Sequence, residues 1–528
     1  MSAGTDTWRG VAAEDVDDIG TPGLGSFLRS RSRKLLASLM RPHKRTIWLS
    51  LAVIVAFNCT SLAGPWLVHL AIDRGIPPLL DGGSARPLIV IIVVFVFATL
   101  VQGACDYLFN RLTGRIGQDI LYDLRLRLYD HFQRLSISFH ERYTSGRVVS
   151  RLTSDIDAIS ELLTYGLQTL AWSLLSVISI ITLMFLLDVP LSLIAMMAFS
   201  LVVIGTIWFR INSARAYRAT REAVALVIVH FVESLAGIRA VHAFRREPRN
   251  REIFEDVNGR YREANRWAAR LIAIYGPGTR IVGGISSAAV LFVGGERVVH
   301  TDIKVGVLIA FLLYLRRFFD PVQELAQFYN AFQSAAAALE KLSGVLDEPP
   351  AVAEPVHPVA LHNAQGEVRF ENVAFHYRPG APVLPHLDVV IPAGQTVALV
   401  GETGAGKTTV ARLIGRFYDP TEGSVLLDGI DLRDVGVDDL RRAVVTVTQE
   451  NFLFSGSVAD NIEFGQPGAG RADIEAAARA IGADEFIRAL PDGYDTVIDE
   501  EGSNVSAGEK QLITIARAFL ADPSLLIL

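Results

Sequence analysis

Cysteine is nearly missing from this 528-residue sequence: only Cys59 and Cys105 occur, both in apolar stretches. Two such residues make no disulfide framework and leave the redox compartment open. An excess of basic charge is missing as well. Fifty lysines and arginines stand against 56 aspartates and glutamates, and the net charge of −6 argues against a nucleic-acid partner, which would favour a strongly basic face. The first 25 residues are acidic and contain glycine but no apolar core, so they do not read as a cleavable signal peptide. What the sequence has in quantity is apolar surface. Half of its residues are apolar, and the mean hydropathy is positive at +0.33. That excess lies mostly between residues 46 and 330, whereas 367–528 reads as a mixed, well-charged soluble domain. The length exceeds that of one ordinary domain and implies two or three.

The apolar runs have membrane-spanning length, about 20 residues of helix at about 1.5 Å each. Ile47 to Ile72 carries no acidic or basic residue apart from His69; Leu88 to Cys105, Leu162 to Leu187 and Val189 to Phe209 follow. Only Asp188 and the neighbouring Pro190 interrupt the third and fourth runs, which predicts a tight hairpin. A fifth run, Leu271 to Gly295, is broken by Arg280, and a sixth, Val305 to Leu315, is short before Arg316 and Arg317. An even number of spans returns the chain to its starting side, so all six are expected to cross, and the spans themselves to direct insertion.

Basic residues set the orientation. Residues 26–45 carry seven of them, and the segments 106–159 and 210–270 hold many arginines, while the opposite loops 73–87 and 296–304 are short with few charges. The N-terminus, both long segments and the C-terminal domain are therefore expected in the cytosol. The long segments are nearly free of glycine and proline and show helical spacing, as at Ile120, Leu124, Leu128 and Phe132, so the spans are expected to continue as helices beyond the membrane. Pro349, Pro350, Pro355 and Pro358 mark a linker. The resulting division is a cytosolic segment 1–45, a membrane domain 46–346, a linker 347–366 and an α/β domain 367–528.

The chemistry lies in that last domain. An apolar, β-branched run, Thr396 to Val400, reads as a buried strand leading into Gly401-Glu402-Thr403-Gly404-Ala405-Gly406-Lys407-Thr408-Thr409 and then a helical pattern from Val410 to Phe417. This is the phosphate-binding loop pattern in its strand–loop–helix setting. The glycines let backbone amides approach a triphosphate, and the helix adds its positive N-terminal end. Lys407 would neutralise the β- and γ-phosphates, and Thr408 would offer its hydroxyl to Mg²⁺. Upstream, Tyr377 at the end of Val373 to Tyr377 either stacks on adenine or is an ordinary strand aromatic. Downstream, Gln449 ends the apolar run Val445 to Thr448, where its amide would bind Mg²⁺ or water. Asn504 to Gln511 opens a helix with a serine and a glycine, another anion-binding end, and Pro523 to Leu528 begins an apolar strand.

Taken in order over residues 40–528, these motifs resemble an ABC transporter of the exporter type: a six-span α-helical membrane domain followed by an incomplete α/β P-loop NTPase domain. The resemblance implies that Gly401–Thr408 is the Walker A loop, Tyr377 the adenine-stacking aromatic and Gln449 the Q-loop glutamine, with Thr408 and Gln449 toward Mg²⁺. Ser506, Ala507, Gly508 and Glu509 fall in the signature motif, which in this family meets the γ-phosphate held by the opposite domain. Phe139 to Arg142 with Ser145-Gly146, and Gly237 to Phe244, resemble the short coupling helices of the two inner segments. Two such chains would sandwich each ATP between one Walker A loop and the other chain's signature. The implied partners are a second half-transporter, identical or different, the lipid bilayer of the cytoplasmic membrane, and a hydrophobic or amphipathic substrate such as a lipid or drug.

Two departures from the family pattern stand out. The signature, usually Leu-Ser-Gly-Gly-Gln, reads Val505-Ser506-Ala507-Gly508-Glu509; Ser506 and Gly508 are kept, so phosphate contact is expected to survive, weakened by the added carboxylate, and the change also fits one half of a heterodimer. In the family a strand like Leu525–Leu528 is followed by the Mg²⁺-supporting Asp, the catalytic Glu and later a switch histidine. None of these lies within the 528 residues, so the chain is expected to be a fragment with no catalytic residue of its own, the alternative being a catalytically inactive ATP-binding subunit. For the substrate, Arg316, Arg317 and Asp320 are candidates; Arg316 and Asp320, one turn apart, either pair with each other or serve a cavity for an anionic amphiphile. An importer or a peptide exporter on the same fold stays open.

Overall fold

The computed structural model describes residues 30–378, 380–448, 451–499, 502 and 504–528, with the side chains of all but residues 30, 319, 322, 323 and 326. The chain packs as two units. Among the described residues, one holds 30–129 together with 149–347, and the other holds 130–148 together with those from 348 on.

The first unit is built of long helices: Lys44–Leu70, Arg86–Arg134, Leu167–Leu187, Val189–Ala236, Glu247–Val299 and Val305–Leu346. Five helical stretches among the described residues are long and apolar enough to cross a membrane, and they contain the first five expected spans. The sixth expected span opens the 42-residue helix Val305–Leu346, where Phe311, Tyr314, Leu315 and Phe318 are fully buried. Arg280, which interrupts the fifth run in sequence, does not interrupt the helix Glu247–Val299. At about 1.5 Å per residue, the 49 residues of Arg86–Arg134 reach roughly 70 Å, more than twice the hydrocarbon thickness. Ile120, Leu124, Leu128 and Phe132 on its distal half are buried, in agreement with their spacing.

The third-to-fourth hairpin is made by one residue. Asp188 leaves the helical region at φ −161° and ψ 122°, and its side chain accepts from the backbone N–H of Leu191. The same carboxylate pairs with Arg297 at 3.2 Å. A second junction answers a proline. Pro65 lies inside Lys44–Leu70, where it has no N–H to give to the carbonyl four residues back, that of Ser61. The Arg317 guanidinium supplies the missing donor at 2.6 Å, and the Tyr314 hydroxyl donates to the next carbonyl, of Leu62, at 2.7 Å. Between Lys44–Leu70 and Leu167–Leu187, Ser176 donates to Asn58 at 3.0 Å and Asn58 to Ser179 at 3.1 Å.

In the second unit a four-stranded antiparallel sheet has the order β2-β1-β3-β4, with β1 Val368–Arg378, β2 Ala381–Ile391, β3 Glu422–Leu427 and β4 Ile430–Asp431. Val368 sits opposite Ile391 on one side and Leu427 on the other. β5 Val444–Thr446 pairs in parallel with β6 Leu525–Ile527, so the two apolar runs expected as strands do form them, against each other. One core joins Phe370, Val373, Phe375, Val425 and Leu427 of the sheet to Leu413 and Leu440. A second, helical core gathers Val458, Ile462, Ile474, Ile487 and Ile513. Part of the expected linker is tied down here, since the buried Arg416 donates to the carbonyl of Ala353 at 2.8 Å.

The Pro65–Arg317 account makes a double-mutant prediction. Arg317→Ala should destabilise the chain by about 1–3 kcal/mol, because it strands a buried carbonyl. In a Pro65→Ala background residue 65 regains its N–H and the same substitution should cost less than half as much. Thermal unfolding of the four proteins in lipid nanodiscs measures this; an equal cost in both backgrounds would remove the link.

Candidate functional site

The loop 401–406 ends on Gly406, which caps the helix Lys407–Ile414 from the left-handed region at φ 91°. Gly404 has the same φ. A Cβ at Gly406 would also lie 2.8 Å from the side chain of Leu384. Glycine is therefore demanded twice at Gly406 and once at Gly404. The Lys407 ammonium folds back over the loop and donates to the carbonyls of Gly401 and Glu402, both at 2.8 Å. Thr409, Val410, Leu413 and Ile414 are buried and fix the helix to the sheet, while Gly401, Glu402, Thr403, Gly404, Ala405 and Thr408 face solvent.

The buried strand expected before the loop is not there. Residues 396–400 form no strand, and Val397, Leu399 and Val400 are 47, 48 and 89% exposed. A strand needs a neighbour for its N–H and C=O groups, and among the described residues none pairs with this run. The loop keeps its shape without it, through the glycine torsions and Lys407.

Tyr377 reaches the loop helix. Its hydroxyl lies 3.1 Å from Oγ1 of the buried Thr409, and its ring packs edge-on against Phe375 and Tyr418 at 4.8 and 5.2 Å between centres. Gln449 lies outside the described residues. Ser506 caps the helix Ala507–Leu520: its hydroxyl accepts from the N–H of Glu509, and the Glu509 carboxylate accepts from the N–H of Ser506 at 2.7 Å. That backbone bond, joined by the Ser506 hydroxyl, holds the Glu509 carboxyl below its ordinary value. The cap is thus at full strength above the ordinary carboxylate range and is lost as pH falls through the lowered value. The carboxylate feared as a repulsive intruder is turned back onto its own helix end. Among the described residues no hydrogen bond or ion pair joins 506–509 to 401–409.

Of the substrate candidates, Arg317 is committed to Ser61, donating to its carbonyl and, at 3.2 Å, to its hydroxyl. Arg316 and Asp320 are exposed, and no ion pair between them is found among the described residues. A shallow apolar groove on this unit is lined instead by Met197, Leu201, Val282, Ile285 and neighbours.

Sequence reasoning missed three residues beside Tyr377. The Glu141 carboxylate pairs with Arg412 at 2.7 Å and accepts from the Tyr418 hydroxyl at 2.6 Å. Arg412 also donates to the Tyr377 hydroxyl at 3.3 Å. Burial, then the bond to Glu141, pushes the Tyr418 hydroxyl well above its ordinary value. Burial works to lower Arg412, but the Tyr377 bond and the Glu141 charge raise it overall. Only the placement of Glu141 in a segment resembling a coupling helix hinted at this cluster.

The site suits a nucleotide triphosphate: a solvent-facing glycine loop, an ammonium whose present acceptors are two exposed loop carbonyls, and a helix start. Among the described residues no group of three or more His, Cys, Asp or Glu could hold a metal; Mg²⁺ is commonly held by one or two protein groups plus substrate phosphates.

A helical membrane unit and a nucleotide-loop unit in one chain define a class, and comparison with known proteins agrees. The model of the ABC transporter transmembrane region matches residues 47–322, and the ABC transporter model matches 384–528. An ATP-dependent lipid A-core flippase of Syntrophus aciditrophicus is 34% identical over 94% of this chain and 82% of its own length. A fatty acid ABC transporter ATP-binding/permease protein of Mycobacterium bovis is 37% identical over 79% of this chain and 66% of its own. A bacterial Atm1-family ABC exporter solved with ATP bound superposes with a TM-score of 0.72 at 28% identity, over 92% of this chain and 85% of that one. The chain belongs to the ABC transporter family, as a half-transporter with fused membrane and ATP-binding domains.

The two loop glycines make a graded prediction. Gly404→Ala should cost about 1–2 kcal/mol from left-handed strain alone, and Gly406→Ala more, because Leu384 must also move. Thermal unfolding and fluorescent-ATP affinity should rank wild type, Gly404→Ala and Gly406→Ala in that order; a reversed order would refute the loop geometry.

Proposed function

We propose that the chain is one half of a dimeric, ATP-driven exporter of hydrophobic or amphipathic molecules, set in the cytoplasmic membrane with its N-terminus and 367–528 in the cytosol. The observation that carries this reading is the glycine loop 401–406 with Lys407 folded over it at the start of a helix. In it, Gly401–Gly406 wrap the phosphates, Lys407 exchanges its two loop carbonyls for phosphate oxygens, and Thr408, with Gln449, completes the shell of Mg²⁺. Tyr377 offers its ring to the adenine. Ser506–Glu509 face the nucleotide of the partner half. Bound ATP supplies the free energy by favouring the closed dimer over the open one. The lipid and fatty acid named for the two relatives support an acyl-chain substrate, and Arg316, exposed just after the sixth span, is its candidate anion contact.

The altered signature supports a second reading, a subunit that binds ATP beside a different half. Val505-Ser506-Ala507-Gly508-Glu509 departs from the usual pattern, and the Glu509 carboxylate already occupies the N–H of Ser506.

The test is equilibrium binding of a fluorescent ATP analogue to the 528-residue chain in nanodiscs. Lys407→Ala removes a charged donor, worth about 1.5–3 kcal/mol, and should weaken binding by roughly 10- to 100-fold. Thr408→Ala should abolish most of the Mg²⁺ dependence. Equal affinity in wild type and Lys407→Ala would overturn the reading.

A further inference from the structure

The helix Ile137–Arg142 belongs to the same unit as the nucleotide loop. It is held there by contacts away from the loop, since Ser136 accepts from the N–H of Val352 at 3.0 Å and Arg142 lies 3.7 Å from Glu348. Glu141 makes a further polar link, and that link runs to the nucleotide site through shared groups. One guanidinium, of Arg412, serves both the Glu141 carboxylate at 2.7 Å and the Tyr377 hydroxyl at 3.3 Å. The Tyr377 hydroxyl in turn is shared with Thr409. Arg412 lies 5.8 and 6.0 Å from the ring centres of Tyr377 and Tyr418, and Tyr418 binds the second carboxylate oxygen of Glu141.

We propose that Glu141 reads the base of the bound nucleotide: a purine stacked on Tyr377 fixes that ring, draws its hydroxyl from Arg412 and leaves the guanidinium to Glu141, tightening the 137–148 segment. The inference rests on the reading of 401–409 as a nucleotide site and of Tyr377 as its base platform. Glu141 touches no ligand and acts as a positioning residue. The phosphates are gripped at Lys407 and the loop, whereas Tyr377 meets the loop helix only through its hydroxyl at Thr409, so a ligand with phosphates but no base fills the loop without fixing the Tyr377 ring that signals to Glu141. Loop occupancy and the response of the short helix thereby become separable events.

Hydrogen exchange of the full 528-residue chain in nanodiscs tests this with two probes, magnesium ATP and magnesium tripolyphosphate. Both should protect 401–409. ATP should slow exchange in 137–148 by about threefold or more, the scale of one strengthened hydrogen bond, whereas tripolyphosphate should leave it unchanged. Glu141→Gln, which keeps the Ser136 and Arg142 contacts, should retain ATP protection of 401–409 and lose the response of 137–148. Tyr418→Phe, a milder change, should reduce that response. A tripolyphosphate effect on 137–148 equal to that of ATP, or an unaltered response in Glu141→Gln, would overturn the proposal while leaving the nucleotide site standing. No protection of 401–409 by either probe would overturn the site and the inference together.

Discussion

Inside hydrocarbon a backbone N–H or C=O without a partner costs several kcal/mol, so each spanning segment must satisfy its backbone within itself. The long helices of the first unit follow from that demand, and so does a repair at Pro65. Pro65 removes a donor from the helix Lys44–Leu70, and Arg317, a charge that would otherwise be an expense in an apolar span, returns one to Ser61. Tyr314 adds a hydrogen bond to the next carbonyl, of Leu62. A residue that sequence alone would assign to a substrate is thus occupied in holding two helices together.

The nucleotide loop inverts the rule. Its backbone faces water, where amide groups can be released to a ligand at little cost, and its shape is kept by two left-handed glycines and the Lys407 ammonium. The capping box of Ser506 and Glu509 is a similar arrangement of a helix end, though there a carboxylate of the chain already answers the N–H. These two helix starts share the same physics of unpaired N–H groups, and in the proposed dimer they meet the same phosphates from opposite sides. Helix length links the two regimes: the helix Arg86–Arg134 runs far past a bilayer's thickness, and its last residues, with the turn 137–148, pack within the unit that holds the loop.

What the sequence made legible was whatever is local. The apolar runs, the helical spacing of Ile120 to Phe132, the glycine loop and the strands around Val373 and Leu526 are short-range patterns with one physical reading each. The failures are of longer range. Thr396 to Val400 has the composition of a strand, but composition does not supply a pairing partner. Arg280, by contrast, lowers the hydropathy of the fifth run without upsetting the expected span, because a helix needs only its backbone bonds. The Glu141–Tyr418 bond joins residues 277 apart, and nothing in either stretch announces the other. The bond of Glu509 back to Ser506 depends on a rotamer, which the sequence does not show.

The central claim is that one ligand spans Lys407 and Tyr377, phosphates at the first and base at the second. Photolabelling with 8-azido-ATP, followed by peptide mapping, tests it most directly. The account predicts that label falls on the peptide containing Tyr377, that tripolyphosphate competes it away, and that Lys407→Ala suppresses it. Label on another segment, or label on the Tyr377 peptide that is indifferent to Lys407, would contradict it.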